Sequence, residues 1–189
     1  MKAKVFLFTL ILLLTGITIT KGQGFTPPAP GKAVVYFVRV SSYGGVVSFE
    51  FFHQDKYIGI FKGRNYMRYE CDPGQNLFWA SSENKEFITA DLKEGGTYLV
   101  VVNIEMGAWK ARVGLAPVTI QETELFERAK ELILEKAPVV TPEDKIQSMN
   151  VKLADFIPEK LDQYETEWKS TKFFEHISAD MAIPAEYMK

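Results

Sequence analysis

Cysteine and histidine are what this 189-residue chain has least of: a single Cys71, and His53 and His176 near opposite ends. One thiol excludes an internal disulfide framework and any multi-cysteine metal site. Neither histidine lies in H-E-x-x-H or another metal-ligand spacing, so no metal and no cofactor is expected. Charge of one sign is scarce too. The formal net charge of −2 gives no electrostatic reason to expect a nucleic-acid partner. No G-x-S-x-G is present, which removes the usual serine-hydrolase elbow. Gly44-Gly45 and Gly95-Gly96 are isolated pairs with no helix start behind them, so there is no phosphate-binding loop. No uninterrupted apolar run approaches the ~20 residues that span a bilayer, so no stable transmembrane anchor is expected. What remains, 47% hydrophobic and 24% charged, is the composition of one globular domain.

At the start of the chain, Lys2 and Lys4 precede an apolar run from Val5 to Leu14, with weaker apolar residues continuing to Ile19. A positive start, a short apolar centre and small or polar residues after it describe a secretory signal peptide. Residues 1–24 are read that way, with cleavage after Thr20 or Gly24, which makes the protein an exported one, periplasmic or secreted to the cell surface. No cysteine follows the apolar run to accept a lipid. The charge of the remainder is uneven. Residues 25–118 carry 10 Lys/Arg against 9 Asp/Glu, whereas residues 119–189 carry 9 against 15. The hydrophobic period changes at the same place, so the shift marks a structural boundary.

Thr26–Gly31 (TPPAPG) contains three prolines and can be neither helix nor central strand, so residues 25–32 are expected to run extended as a stiff lead-in. From Ala33 to Val118 the pattern is strand after strand. Ala33–Val40 is a continuous β-branched and aromatic run, as in a strand buried on both faces. Val46–Phe52 alternates, with Val47, Phe49 and Phe51 on one side and Ser48 and Glu50 on the other. Tyr57–Phe61, Tyr66–Cys71, Asn76–Ala80, Phe87–Leu92, Thr97–Glu105 and Trp109–Leu115 follow, the last ended by Pro117. In the turn Asp72-Pro73-Gly74-Gln75, proline presets φ and glycine accepts the positive φ of a type II turn. Seven or eight short strands at this spacing predict a mainly β domain over residues 33–118, an antiparallel β-sandwich with no parallel α/β sheet.

Beyond Pro117 the period becomes helical. Thr119 and Glu122 read as a capping box for a helix over Thr119–Lys136, whose Leu125, Phe126, Ala129, Leu132 and Ile133 share a face. Pro142 suits the first turn of a second helix, and a third is expected from Pro158 with Leu161, Tyr164 and Trp168 on one side. Residues 119–189 are therefore an acidic helical C-terminal appendage. Its apolar stripes must be buried on the β core, on one another or on a partner. Phe173–Lys189 shows no single period.

Three segments of the β region, GKAVVYFVR, FEFFHQDKYIGIFKGRNYMRYECDPGQ and DLKEGGTYLVVV, resemble the bacterial family catalogued as domain of unknown function 2846. The matching elements are Tyr36-Phe37-Val38-Arg39, Asp55–Gly59, Tyr66–Gly74 and Leu92–Val101, so the likeness covers roughly residues 29–105. The resemblance implies an exported, envelope-associated β-sandwich with no assigned activity. Many members of that family look like lipoproteins; this chain departs from them in lacking the lipid-accepting cysteine.

Few side chains in this sequence suggest chemistry. Cys71 alternates in phase with Met67 and Tyr69, as a small packed hydrophobe would, while Arg68 points to the other face. His53 sits where a strand meets a turn. Glu50, Glu70 and Asp72 are the carboxylates best placed for acid–base work, although Asp72 is already accounted for by its turn. No residue is assigned a catalytic role. The cluster that stands out is Lys62, Arg64 and Arg68 with Tyr57, Tyr66 and Tyr69 around one hairpin, because cations beside aromatic rings can bind glycans, anionic groups or a partner's acidic surface. The same slightly basic hairpin could instead dock the chain's own acidic helices. The sequence thus describes an exported envelope protein, a non-catalytic binding or structural module with an envelope protein or glycan as partner. The alternative is an envelope hydrolase whose carboxylates and histidine are assembled by the fold.

Overall fold

The computed structural model describes residues 24–106 and 111–189. The expected signal peptide up to residue 23, and Trp109 with Lys110 at the start of the eighth expected strand, lie outside the described residues. The described chain is mainly β: nine strands in two sheets, with helices on the C-terminal side. The strands are β1 (Ala33–Arg39), β2 (Ser48–His53), β3 (Lys56–Lys62), β4 (Asn65–Cys71), β5 (Gly74–Ser81), β6 (Lys85–Leu92), β7 (Thr97–Met106), β8 (Ala111–Val118) and β9 (Glu175–Ile177). The helices are α1 (Thr123–Glu135), α2 (Glu143–Lys152) and α3 (Phe156–Gln163), the last continuing through a π turn, Tyr164–Trp168, into Lys169–Thr171.

One sheet has the order β4-β1-β7-β8 and the other β3-β2-β5-β6-β9. They stack face to face, and Phe37 of the first packs its ring 5.5 Å from Phe51 and 5.6 Å from Phe78 of the second. The sheets are mixed rather than purely antiparallel, which corrects the sequence expectation. β1 runs parallel to β7 and β6 runs parallel to β9. Parallel neighbours need a long crossover, usually helical. Here the crossover from β1 to β7 is made of strands, β2 through β6, most of which belong to the opposite sheet, so no helical period betrays it. Pro117 does not end β8 but lies within it, opposite Val100, and an edge strand tolerates the missing donor.

The continuous apolar run of β1 is explained by burial on both sides. Ala33, Val35 and Phe37 enter the core between the sheets, whereas Val34, Tyr36 and Val38 meet Phe126, Ala129, Leu132 and Ile133 of α1. On the outer face of the five-stranded sheet, Phe52, Tyr57, Trp79 and Phe87 pack beneath Ile146 and Met149 of α2 and Phe156 and Ile157 of α3. The order of layers is helix, sheet, sheet, helix. At ~1.5–3 kcal/mol for each large apolar side chain fully buried, the two outer clusters contribute on the scale of the inner one. The expected appendage is thus a pair of outer layers.

Local details follow from sequence. Thr119 and Glu122 do bond to each other, the Thr119 amide donating to the Glu122 carboxylate at 2.8 Å, but in a turn ahead of the helix. The Thr119 hydroxyl accepts from the Gln121 amide rather than from the helix, and α1 begins at Thr123. α3 starts two residues before Pro158, which leaves proline in the first turn, where its missing N–H is harmless. Edge strand β3 is blocked by side chains: Asn150 of α2 accepts from the Tyr57 amide at 2.8 Å and donates to its carbonyl at 3.2 Å, and Thr141 accepts from the Ile60 amide at 3.1 Å. Borrowed hydrogen bonds of this kind close a strand edge to further pairing. Gly59 allows the close fit, since a Cβ there would come within 2.9 Å of both Met67 and Thr141.

Candidate functional site

The hairpin cluster does not converge on one surface. Alternation sends Tyr57 to the outer face of the five-stranded sheet and Tyr66 to the outer face of the other, and each is 1% exposed. Burial pushes both phenols up to about 12. Tyr66 donates its hydroxyl to the Lys136 carbonyl at 2.9 Å, at the end of α1. Arg64 reaches Glu135 at 3.2 Å and Glu131 at 3.9 Å on the same helix. Arg68 pairs with Glu70 at 2.7 Å and donates to the Pro27 carbonyl of the lead-in at 3.1 Å. Lys62 stays exposed, and Tyr69 points inward. Arg64, Tyr66 and Arg68 fasten α1 and the lead-in to the four-stranded sheet.

Tyr69 belongs to a second constellation, between the sheets. The Asn76 side-chain amide donates to the carbonyls of Asp72 and Gly74 at 3.1 and 2.9 Å, which turns its oxygen toward His53. That oxygen, 2.8 Å from His53 Nε2, fixes the proton on Nε2. Nδ1 is then free to accept from the Tyr69 hydroxyl at 3.0 Å. The imidazole also stacks on Phe78 at 4.7 Å. Burial pulls the His53 pKa down and pushes Tyr69 up to about 12, so both are neutral near pH 7. With every donor matched to an acceptor, this network links β2, β4 and β5 and leaves no group free for chemistry.

The other candidates are also occupied. Cys71 is buried in the inter-sheet core beside Met67, and burial pushes its thiol up to about 11. Glu70 is bound by Arg68 and by the Ala29 amide at 3.0 Å, and Asp72 by Lys32 at 2.6 Å; both carboxyls are pulled below their ordinary range, mainly by those hydrogen bonds. Glu50 takes an outward register position on β2, opposite Ile60. A carboxyl not singled out in the sequence, Glu86 at the start of β6, is pushed up to about 7 by burial and by the neighbouring Glu105. Asn84 donates to it at 3.3 Å. Among the described residues, no group of three or more His, Cys, Asp or Glu could hold a metal ion.

What the sequence reading passes over is a cleft on the outer face of the five-stranded sheet, with a volume of about 340 Å³. Its floor is made of outward residues two apart on neighbouring strands, Gln75 and Leu77 of β5 and Thr89 and Asp91 of β6. β9 adds His176 beside Thr89, and the π turn of α3 supplies the wall with Tyr164 and Glu165. In that turn the Lys169 amide donates to the Tyr164 carbonyl five residues back. Tyr164 is thereby set 4.4 Å from Phe87, and π turns of this kind often mark functional sites.

His176 organises the floor. Its Nε2 lies 3.5 Å from an Asp91 carboxylate oxygen and its Nδ1 lies 2.8 Å from the Thr89 hydroxyl. A carboxylate only accepts, so Asp91 favours the tautomer with the proton on Nε2, and in that tautomer Thr89 donates to Nδ1. The threonine oxygen keeps lone pairs for a ligand, and Asp91 keeps its second oxygen. Glu165 and Lys169 pair at 3.0 Å on the rim. Sequence could have offered only Thr89 and Asp91 as an i, i+2 polar pair; His176 stands 87 residues from Thr89, in the stretch without a period. The shifted groups with acid–base potential, His53 and Glu86, are not among the residues that line the cleft. No protein-family model matches the chain and no curated protein matches it either, so its function has to be read from these residues themselves.

Proposed function

We propose that this is an exported, envelope-associated binding module whose ligand site is the cleft between β5, β6, β9 and the π turn. The observation that carries this reading is the Thr89–His176–Asp91 chain, where polar side chains with spare hydrogen-bonding capacity converge on a concave surface. The apolar clusters on the outer faces of both sheets lie under helices. Export is supported by the lysines and apolar run before Thr20, and an envelope role by the resemblance of residues 29–105. Among the described residues no helix is long and apolar enough to cross a membrane.

A second reading, an envelope hydrolase, draws on the same chain, because a hydroxyl hydrogen-bonded to an imidazole, with a carboxylate 3.5 Å from the other ring nitrogen, are the parts of a nucleophile, its base and an orienting acid. It is the weaker reading, since Thr89 lies mid-strand with its neighbours in the ladder, where no pair of free amides faces the hydroxyl to stabilise an oxyanion.

Crosslinking and pull-down of the native protein from fractionated cells, with the intact mass recorded, tests the proposal. A partner held by the wild type and lost in Thr89→Val and Asp91→Asn variants is the expected result, together with a mass lacking residues 1–20 or 1–24. Retention unchanged in both variants overturns the cleft as the site. Turnover of ester or amide substrates that Thr89→Val abolishes would favour the hydrolase.

A further inference from the structure

We infer that the ligand of the cleft is a neutral saccharide, recognised through adjacent hydroxyl groups; this rests on the cleft being the binding site. The inference comes from the hydrogen-bonding character and charge of the lining. Asp91 is half exposed and offers the lone pairs that its His176 contact does not use. A carboxylate of this kind accepts from two neighbouring hydroxyls at once. Thr89 has already spent its proton on His176 and acts as an acceptor. Gln54 and Gln75 border the same cleft with exposed amides that both donate and accept. Groups in which every oxygen both gives and takes a hydrogen bond match this set, and sugar hydroxyls are such groups.

Charge decides against the alternatives. Beside His176, the cleft holds two carboxylates, Asp91 and Glu165, and one ammonium, Lys169, already paired with Glu165. Among the described residues Asp91 has no lysine or arginine partner in the cleft, and its carboxylate opposes phosphate, sulfate and uronate. A cationic ligand would meet Lys169 at the rim. Leu77 gives the floor an apolar strip for the C–H face of a sugar ring, but Tyr164 is 3% exposed and offers no open ring to stack on. Binding therefore depends on hydrogen bonds, and a dissociation constant on the order of 1 mM is expected for a short oligosaccharide. A volume of about 340 Å³ admits one or two sugar residues.

Titration of the ¹⁵N-labelled full chain with neutral trisaccharides (maltotriose, cellotriose, tri-N-acetylchitotriose), trigalacturonate and inorganic phosphate tests this by NMR. At least one neutral trisaccharide is expected to shift the amides of Gln75, Thr89, Asp91 and His176, and neither anion to do so. Asp91→Asn and Gln75→Ala should weaken that binding tenfold or more while leaving the thermal midpoint unchanged. Co-sedimentation with isolated cell-wall sacculi assigns the sugar to a polymer; trisaccharide binding without it assigns a soluble or terminal sugar. Trigalacturonate or phosphate moving the same amides overturns the neutral-saccharide assignment and leaves the cleft as a site. The same holds if no sugar binds yet the cleft variants lose their partner in the pull-down. If the variants keep that partner, the cleft reading itself fails.

Discussion

The two faces of the five-stranded sheet hold one histidine each, and the difference between them separates structure from candidate function. On the inner face His53 is half-buried and bonded at both nitrogens to neutral partners whose own bonds are complete. On the outer face His176 is exposed, and the groups it touches retain capacity for a ligand. Both are hydrogen-bonded histidines on strands. Satisfaction of the surrounding groups, rather than the presence of an imidazole, distinguishes a strut from a site.

The comparison can be broken most severely at neighbouring residues of β5. Phe78 faces inward and Trp79 outward, and both are fully buried. Phe78→Ala and Trp79→Ala are each expected to cost about 3–5 kcal/mol, measured by urea unfolding. If the helices were an appendage, Trp79→Ala would cost under about 1 kcal/mol, and the layered description would fall.

How much of this was legible in sequence depends on the range of the interaction. β1 declared its double burial through AVVYFVR, and Phe49 and Phe51 declared their face by alternation. The stripe Phe126, Ala129, Leu132, Ile133 declared the buried side of α1 but not what buries it, because periodicity names a face and is silent about its partner. The parallel pairings were hidden for a related reason: β9 is three residues long, and nothing in Glu175-His176-Ile177 points to Ile88–Ala90. The cleft was hidden with it, since His176 reaches Thr89 and Asp91 only after β9 joins the sheet. The hairpin cations and tyrosines were conspicuous in sequence because they cluster there, and alternation then distributed them over opposite faces.

A smaller effect, and one with a sign, separates the inner network from Glu86. The folded His53 pKa lies below its ordinary value of 6.5 because burial disfavours the imidazolium. As pH falls through about 6.5 the unfolded chain takes up the proton first, so stability is lost on acidification. Glu86 is an acid with a raised folded pKa of about 7, and its linkage runs the other way: the unfolded chain loses its proton first, and stability falls as pH rises from about 4.5 toward 7. Urea midpoints between pH 4 and pH 8 should show His53→Gln with a flatter acid limb than the wild type. Glu86→Gln should be more stable than the wild type at pH 8 and equal to it near pH 4. Identical pH profiles for all three proteins would contradict both assignments.

The smallest effect on stability is expected in the cleft, and it sharpens the comparison most. His176 and Asp91 are about half exposed, and their 3.5 Å contact is a surface pair. Such pairs contribute about 0–1 kcal/mol, and surface substitutions usually stay within about 0.5 kcal/mol. His176→Ala should therefore shift the urea midpoint by no more than that, whereas His53→Leu leaves the Tyr69 hydroxyl and the Asn76 oxygen unpaired beneath the sheet, at about 1–3 kcal/mol for each orphaned group. A protein that tolerates His176→Ala in folding and loses its partner has a histidine kept for recognition. A loss of 2 kcal/mol or more would make the Thr89–His176–Asp91 chain a clasp for β9, and the two faces of the sheet would then differ in exposure alone.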